Sequence, residues 1–419
     1  MADLTPQEVD DFFKMNVSTA SEWFEQEAVM YNAVRKYSDK KTLTPKGFRF
    51  SFWKNRPGGH TFPALTQPDF NAAKPPTPGS FFIRATEYAL PMIIHGRAME
   101  QVKSGSPDNL TSMSELMQLY YETATKRLEM MVPGDGSGAL AYSNSGGSLA
   151  VGAQTLVCHT AAAATDGYTK GAFRLEQGQY YQAWHPTTYA LHGTFHVVTP
   201  GVAQCDVVVD SGTIEDEDII TDVGAVMKVP RGLAHVIGDH SRTLQTIPTG
   251  TNPAWNSPMF DLQRTVTPSD IHTGKATLKV RNNTPDAENG LICFTTPGQM
   301  AILEKQGYGL RRYTGSEATK GISNKYEDGD TIWVKAADMA EDRFYFFKNG
   351  VLINAEEMPF GEYNQDGLKW RMLLGANSTG SNRWQKAWGC IHNIGIRNVR
   401  GAFGIKRATV GVTQRSAGF

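Results

Sequence analysis

The segment from residue 46 to residue 92 most constrains the fold of this chain, because it runs out and back with little apolar content of its own. Phe48, Phe50 and Phe52 alternate with polar residues, which is the period of a β-strand. A turn at 56–59 follows, and prolines keep the next stretch extended, at positions 63, 68, 75, 76 and 78. Residues 81–92 are typical of a return strand. Compact domains rarely carry such an excursion without a use, so we expect an extended loop that contacts a neighbouring subunit or a ligand.

Charge is divided into blocks along the chain, although the formal net charge is only −1. Residues 1–27 hold seven acidic side chains against Lys14 alone, and residues 28–60 hold eight basic side chains against Asp39 alone. The chain from Gly367 onward is basic with no acid, and a further acidic cluster consists of Glu215, Asp216, Glu217, Asp218 and Asp222. These blocks are either solvated surface or places where copies of the chain meet, acidic segment to basic segment. A dedicated nucleic-acid groove is disfavoured because the basic residues are spread over many segments.

Length and composition indicate a chain that can bury a sizeable core. It has 419 residues, of which 40% are hydrophobic, enough for two or three structural units. No stretch approaches the ~20 apolar residues that a membrane-spanning helix needs, and the acidic, polar N-terminus predicts no secretory signal. The four cysteines form no CxxC pair, so we expect reduced thiols rather than disulfides or a zinc ribbon: Cys158, Cys205, Cys293 and Cys390.

Helical signals are strongest in three regions. Capping boxes that begin at Thr5 and Thr19 predict two short amphipathic helices, the second ending near Tyr37. Residues 108–132 predict the longest helix, because apolar residues recur there at spacings of three and four: Met113, Leu116, Tyr120, Ala124, Leu128 and Met131. Further helices are expected from Thr267 and over residues 297–305.

Strand signals fill most of the remaining chain. Short strands separated by turns are expected from 150 to 265, with 205–210 and 225–229 as examples, and another at 291–294. Residues 344–353 predict a β-hairpin, because Asn349-Gly350 is the preferred pair for a two-residue type I′ turn. The pattern as a whole predicts an α+β protein with long helices and a separate strand-rich part.

Histidine and cysteine positions do not predict a catalytic or metal site. His192 and His196 have the i, i+4 spacing of a zinc helix, but the residues around His196 favour a strand and the accompanying glutamate is missing. His235 and His240 flank a turn. Cys158 next to His159 is not a nucleophile–base pair, since the base must meet the thiol in space.

The glycine-rich residues 134–138 do not form a phosphate loop or a nucleophile elbow. They follow a helix instead of preceding one and lack the lysine that phosphate loops carry. Ser137 lacks the GxSxG spacing. We therefore expect no catalytic residue, no cofactor and no metal.

The order of these features resembles the major capsid proteins of tailed bacteriophages, which have the Hong Kong 97-type fold. Short N-terminal helices are followed by a long β arm, a long helix, a Gly-Asp-Gly turn, a strand-rich insertion and a hairpin-bearing end. The turn at 134–141 is the best local match. Residues 252–255, Asn-Pro-Ala-Trp, and the strand and helix of 291–304 also look like segments of the family.

The resemblance implies a division of the chain into capsid domains. It implies an N-terminal arm over 1–45, an extended loop over 46–92, a peripheral domain with the spine helix over 93–144, an axial domain over 145–310, and a return to the peripheral domain with C-terminal strands over 311–419. The extended loop would lie across the neighbouring subunit. Intersubunit contacts are then expected from Arg49, Phe52, Trp53, Lys54, Arg56 and His60.

The same resemblance implies a non-catalytic shell protein of the virion. It would assemble with itself, as pentamers and hexamers, into an icosahedral head around double-stranded DNA without sequence specificity. Expected partners are a scaffolding protein and a portal, with a decoration protein as a further candidate, and assembly is expected in the host cytoplasm. The arm begins at residue 1 without the long scaffolding segment of some members, so we expect a separate scaffolding protein or a processed chain.

Three alternatives remain open from the sequence. A bacterial encapsulin-type compartment shares the fold but is usually shorter. Residues 329–333 with the 344–353 hairpin also look like strands of a lectin-type β-sandwich, which would make the C-terminal half a carbohydrate-binding module. The third is a hydrolase that uses a histidine and a cysteine.

Some capsid proteins of this kind join their subunits by a lysine–asparagine bond, which we do not expect here. Lys46, Lys54 and Lys74 lie in the arm, but none matches the lysine of that bond. Assembled particles dissolved for a denaturing gel should therefore give a single monomer band. A ladder of multiples would contradict this expectation.

Overall fold

The computed structural model describes most of the chain. The described residues are 28–42, 47–53, 75, 78–84, 86–95, 107–159, 171–238, 243–249, 255–282, 290–308, 331–336, 338–340, 342–363, 371–374 and 380–408. They contain helices and strands in the α+β class that the sequence predicts. Within them, no helix has the length and apolarity that crossing a membrane requires.

The described elements follow one another as helices, short ribbons and long strands. The helices are α1 (Val29–Tyr37), α2 (Pro107–Met131), α3 (Leu233–Val236), α4 (Pro268–Asn282) and α5 (Pro297–Tyr308). The first strands are β1 (Asp39–Thr42), β2 (Phe48–Trp53), β3 (Pro78–Ile83), β4 (Glu87–His95), β5 (Ala141–Ser143), β6 (Gly152–His159), β7 (Tyr180–Trp184), β8 (Leu191–Thr199), β9 (Gln204–Gly212) and β10 (Ile219–Asp222). The later strands are β11 (Thr243–Leu244), β12 (Ile247–Pro248), β13 (Met259–Asp261), β14 (Leu291–Thr295), β15 (Ile332–Lys335), β16 (Phe344–Lys348), β17 (Leu352–Tyr363), β18 (Arg371–Leu374), β19 (Gly380–Ile396) and β20 (Ala402–Lys406).

Two helices pack on a first sheet made of β1, β17, β19, β18 and β4. The long helix α2 forms where its apolar stripe predicts, and Ala124 and Leu128 of that stripe are buried. Helix α1 ends at Tyr37 as expected and buries Met30, Tyr31 and Val34 in the same core. The helix predicted from Thr5 lies outside the described residues.

Strands β5 to β10 close into an antiparallel barrel in the order β10-β5-β6-β9-β8-β7. Side chains alternate along each strand, and the inward set forms one core that includes Leu156, Tyr181, Phe195 and Val207. Closure removes the unpaired edges that an open sheet of this size would expose. The sequence predicts strands here but does not predict that they close into a barrel.

The second sheet has the order β13-β20-β16-β14-β15, and its central strands β20, β16 and β14 are buried on both faces. Phe344 and Phe346 of β16 face the core under α4 and α5, whereas Tyr345 and Phe347 face the core of the first sheet. Two-sided burial explains the continuous apolar run in place of an alternating one. Gly274 of α4 is required at this contact, because a Cβ there would overlap the Phe403 ring.

The hairpin predicted over 344–353 is wrong. Strand β16 pairs with β14 and β20, whereas β17 pairs with β1 and β19, so the Asn349-Gly350 turn carries the chain from one sheet to the other. Gly350 has a φ of 74° while Asn349 has no positive φ, and a type I′ turn needs both. The Gly350 N–H donates to the Tyr37 carbonyl at 3.0 Å, so the turn is anchored to the end of α1.

Two further strand predictions change. Residues 225–229 form turns instead of a strand, because the Met227 N–H donates to the Ser137 carbonyl at 2.9 Å and Met227 has a φ of 57°. The return strand predicted over 81–92 is two strands, β3 and β4. They separate because β3 pairs with β2 whereas β4 pairs with β19.

Candidate intersubunit site

The base of the extended loop is a two-stranded ribbon of β2 and β3. The register runs from Phe48 opposite Ile83 to Trp53 opposite Pro78. The chain leaves the ribbon at Trp53 and re-enters it at Pro78. Of the residues between, only Pro75 is described.

Aromatic contacts fix the ribbon to the outer face of the first sheet. Phe50 stacks on Phe81 with ring centroids 5.2 Å apart, and Phe81 lies 5.9 Å from Trp255. The Arg397 guanidinium lies 5.2 Å above the Phe50 ring, where a cation interacts favourably with the π face. Phe81 packs in one cluster with Ile353 of β17. The ribbon is therefore held at its base.

Of the predicted contact residues, Arg49 lies near the base of this ribbon, and Phe52 and Trp53 lie at its far end. Arg49 is exposed on β2, on the face opposite the packed phenylalanines. Phe52 and Trp53 are the last residues of β2, paired with Gly79 and Pro78. Lys54, Arg56 and His60 lie outside the described residues. Their intersubunit role remains a prediction.

A buried arginine on α2, which the sequence analysis did not identify, holds the barrel against the helix. Arg127 donates from Nη1 to the Arg174 carbonyl at 3.1 Å and from Nη2 to the Tyr181 hydroxyl at 3.1 Å. Its Nη2 also lies 3.3 Å from Asp222 Oδ1. Burial lowers the pKa of Arg127, but Asp222 and Tyr181 outweigh burial and leave the pKa raised. Arg127 therefore stays cationic while holding three groups of the barrel region.

Arg174 extends the same connection to the rest of the chain. It donates from Nη1 to the Leu140 carbonyl at 2.9 Å and from Nη2 to the Asp338 carbonyl at 2.8 Å. Asp338 follows β15 of the second sheet. The two arginines thus connect α2, the barrel region and the loop after β15 through hydrogen bonds to backbone carbonyls.

An open cleft of about 780 Å³ separates the base of the ribbon from the barrel. Side chains of both charges line it: Arg84, Glu87, Asp135, Lys228 and Arg231. Two more lining residues, Tyr189 and Met227, have positive φ angles of 54° and 57°. The polar lining suits a charged or polar segment better than an apolar ligand.

Some side chains of the charge blocks pair with other groups of the same chain. Arg35 bonds Glu356 at 3.2 Å and Lys41 bonds Asp39 at 3.2 Å, so part of the basic block pairs internally. Asp218 of the acidic cluster is buried and accepts the Glu215 N–H at 2.8 Å. The acidic residues 1–27 lie outside the described residues.

The barrel histidines lie on a strand, as predicted, and each has its own carboxylate. His192 Nδ1 is 2.8 Å from Asp218 Oδ1, and His196 Nδ1 is 3.1 Å from Asp210 Oδ1. No group of three or more His, Cys, Asp or Glu side chains that could hold a metal occurs among the described residues. The i, i+4 spacing therefore places the two rings on one strand face without a shared ligand set.

Ser137 and the cysteines are engaged in structural contacts. The Ser137 hydroxyl bonds Asp135 and accepts the Ala139 N–H at 3.2 Å within its own turn. All four cysteines are buried thiols. Cys158 and Cys205, distant in sequence, are hydrogen-bonded neighbours in the barrel; burial raises the pKa of Cys158, and its hydrogen bond lowers that of Cys205.

Comparison with known proteins finds the same fold. No family model and no curated protein matches the chain. A chain of the Cyanophage A-1(L) capsid asymmetric unit matches with a TM-score of 0.53 at 7% identity, covering 90% of this chain and 93% of that chain. The capsid of the native GTA particle matches with a TM-score of 0.43 at 10% identity, and 91% of each chain is covered. The capsid of Ralstonia phage GP4 matches with a TM-score of 0.35 at 14% identity, covering 90% of this chain and 88% of that chain.

The chain has the fold of a phage capsid protein. The predicted α+β class with a Hong Kong 97-type arrangement is confirmed. The likeness therefore extends over most of both chains.

Removing the Arg127 side chain should destabilise this capsid fold. Arg127→Ala leaves the Tyr181 hydroxyl, the Arg174 carbonyl and Asp222 without their cation, which should lower the free energy of unfolding by about 2–4 kcal/mol. Lys126→Ala on the same helix turn is the control, since Lys126 is only half-buried. Denaturant unfolding of the unassembled subunit measures both. Equal losses in the two variants would contradict the assigned role.

A thiol-reactive probe should label all four cysteines slowly in the folded protein at neutral pH, because each is buried. All four should react quickly once the protein is unfolded in denaturant, which is the control. Mass spectrometry of the labelled peptides distinguishes the sites. Fast, selective labelling of one cysteine would instead favour the hydrolase alternative.

Proposed function

We propose that the chain is the major capsid protein of a tailed phage, a structural subunit that assembles into an icosahedral head and catalyses no reaction. The observation that carries this proposal is the match to the Cyanophage A-1(L) capsid chain over 90% of this chain and 93% of that one. A likeness that extends over nearly the whole of both chains supports a shared architecture, including the elements outside any compact core.

The ribbon supports a role in contacts between subunits. Its base is anchored to the first sheet through Phe50 and Phe81. A segment stiffened by proline and held at its base loses little entropy when it binds a partner. Closed symmetry then repeats each modest contact many times, which stabilises a shell.

We propose the predicted division into arm, extended loop, peripheral domain and axial domain, with one refinement. Helix α2 and the first sheet share a core, which supports a peripheral domain built from 93–144 and the returning chain. The second sheet combines β13 and β14 with β15, β16 and β20. Part of the 311–419 segment is therefore assigned to the axial domain together with 145–310.

We also propose the partners that a phage head requires. They are other copies of the chain as pentamers and hexamers, a scaffolding protein, a portal, a decoration protein as a further candidate, and packaged double-stranded DNA bound without sequence specificity. The proposed location is the virion capsid after assembly in the host cytoplasm.

The alternatives differ in what they predict. An encapsulin-type shell would share the fold and is distinguished by enclosed cargo protein instead of DNA. The lectin-type sandwich depended on a hairpin over 344–353, but β16 and β17 belong to different sheets. No observation in the described residues favours a carbohydrate-binding module.

The proposed contact residues of the extended loop provide the test. The triple variant Arg49→Glu, Lys54→Glu and Arg56→Glu should assemble poorly, because it reverses the charge of the proposed contact while leaving the packed phenylalanines of the ribbon base unchanged. Deletion of residues 55–62 should have the same effect. Both should leave the subunit folded by circular dichroism.

Electron microscopy and light scattering of particles made with the scaffolding partner provide the readout. The unaltered chain should give closed shells tens of nanometres wide, and the triple variant should remain as subunits or small rings. Lys305→Glu on the exposed face of α5 is the control and should assemble normally. Normal shells from the triple variant and from the deletion would overturn the loop assignment, and a chain that never assembles would overturn the proposed function.

A further inference from the structure

We propose that Glu129 is a proton-dependent latch that fixes the arm helix α1 to α2, holding it most firmly when the carboxyl is protonated and loosening it when the carboxyl ionises. The inference concerns contacts within one subunit and does not rest on the proposed function. It is argued from hydrogen bonds, burial and the charges around one side chain.

Helix α1 depends on a distant residue for its N-terminal cap. Its own N-cap residue, Ala28, provides no side-chain acceptor. The first N–H groups of a helix have no partner within the helix. Glu129 of α2 supplies both acceptors, with Oε2 at 2.9 Å from the Met30 N and Oε1 at 2.8 Å from the Tyr31 N. This cap exists only while α1 lies on α2.

The capping carboxyl is buried, and no ion pair joins it to a cation among the described residues. Glu129 is 4% exposed, and both of the residues it caps are buried. Arg127, two residues earlier on α2, is directed to Tyr181 and Asp222 instead. Asp338, which faces Glu129 from the loop after β15, is itself acidic. An ionised carboxylate in this position loses its hydration for only two backbone hydrogen bonds.

Burial raises the pKa of Glu129 from its ordinary 4.5 to about 7, although the two N–H groups act to lower it and Asp338 raises it further. A Glu129 exposed by undocking of α1 would return towards the ordinary value. The docked state therefore binds the proton more tightly than the undocked state. The stabilisation of docked α1 by this proton is fully present below pH 4.5 and is lost as the pH rises through about 7.

The other charged groups around α1 do not produce this change. His392 of β19 packs on Tyr31 with ring centroids 5.3 Å apart, and burial lowers its pKa to about 4, so it stays neutral at higher pH. Burial raises the pKa of Tyr31, which stays protonated. Arg35 remains ion-paired with Glu356 at 3.2 Å. Burial also raises the pKa of the Cys390 thiol beside Tyr31, which stays protonated. Among the described groups around α1 with a shifted pKa, Glu129 is the one whose charge changes between pH 5.5 and 8.5.

Hydrogen exchange of the full-length subunit tests the latch. Peptides covering α1 are compared at pH 5.5 and 8.5 after correction for the intrinsic exchange rate. With the pKa values of 4.5 and about 7, the protection of α1 should fall by roughly 30-fold over this range. Peptides covering α4, in a different core, should not change and provide the internal control.

Variants distinguish the latch from a general effect of pH. Glu129→Gln should abolish the pH-dependent fall in α1 protection, because a neutral amide keeps an acceptor and cannot ionise. Glu122→Gln, a partly exposed position on the same helix, should retain it. Protection of α1 that is constant or rises with pH in the unaltered protein would overturn the proposal even if Glu129→Gln fails to fold. A Glu129→Gln variant that keeps the fall would overturn it as well.

Discussion

Two-sided burial of the second sheet is the constraint on which the rest of the structure depends. Phe344 and Phe346 contribute to one core and Tyr345 and Phe347 to another, so a single strand is shared between the helices α4 and α5 and the helices α1 and α2. Strand β14 is shared in the same way. Its Ile292 and Phe294 lie in the core of the first sheet, and its Leu291 and Cys293 lie in the core under α4 and α5. Because each strand serves both cores, neither layer can repack without disturbing the other.

Polar side chains add further contacts between the modules around the end of α2. Arg127 and Arg174 bind backbone carbonyls and a hydroxyl at the junction of α2, the barrel and the second sheet. Glu129, on the same helix, caps α1. The last turns of α2 therefore orient both the barrel and the arm helix. In a shell subunit, these contacts would set how the arm and the barrel are presented to neighbours.

The ribbon and the cleft occupy the surface that the cores leave open. The ribbon is anchored where Phe81 and Ile83 meet β17, and Arg49, opposite Phe82 at this anchored end, is exposed. Gly395 of β19 permits this approach, since a Cβ there would overlap the Ile83 side chain. The described part of the extended loop is thus held firmly against the first sheet.

The sequence by itself determined the elements whose signals are local. The stripe of α2, the alternation in β2, and the starts of α4 and α5 were predicted because caps, prolines and side-chain periods act within a few residues. The order of these elements was also sufficient to indicate the capsid fold. The contact residues of the extended loop were predicted from the resemblance, and their intersubunit role stays a prediction; Arg49 is exposed.

Only the tertiary structure decided which strands pair and which polar groups meet. Asn349-Gly350 has the local pattern of a hairpin, yet β16 and β17 enter different sheets because each finds a better-buried partner elsewhere in the chain. The closure of the barrel, the partners of Arg127 and the cap provided by Glu129 depend on residues tens of positions apart or more. Desolvation and strand pairing are set by such distant neighbours, and no local pattern in the sequence records them.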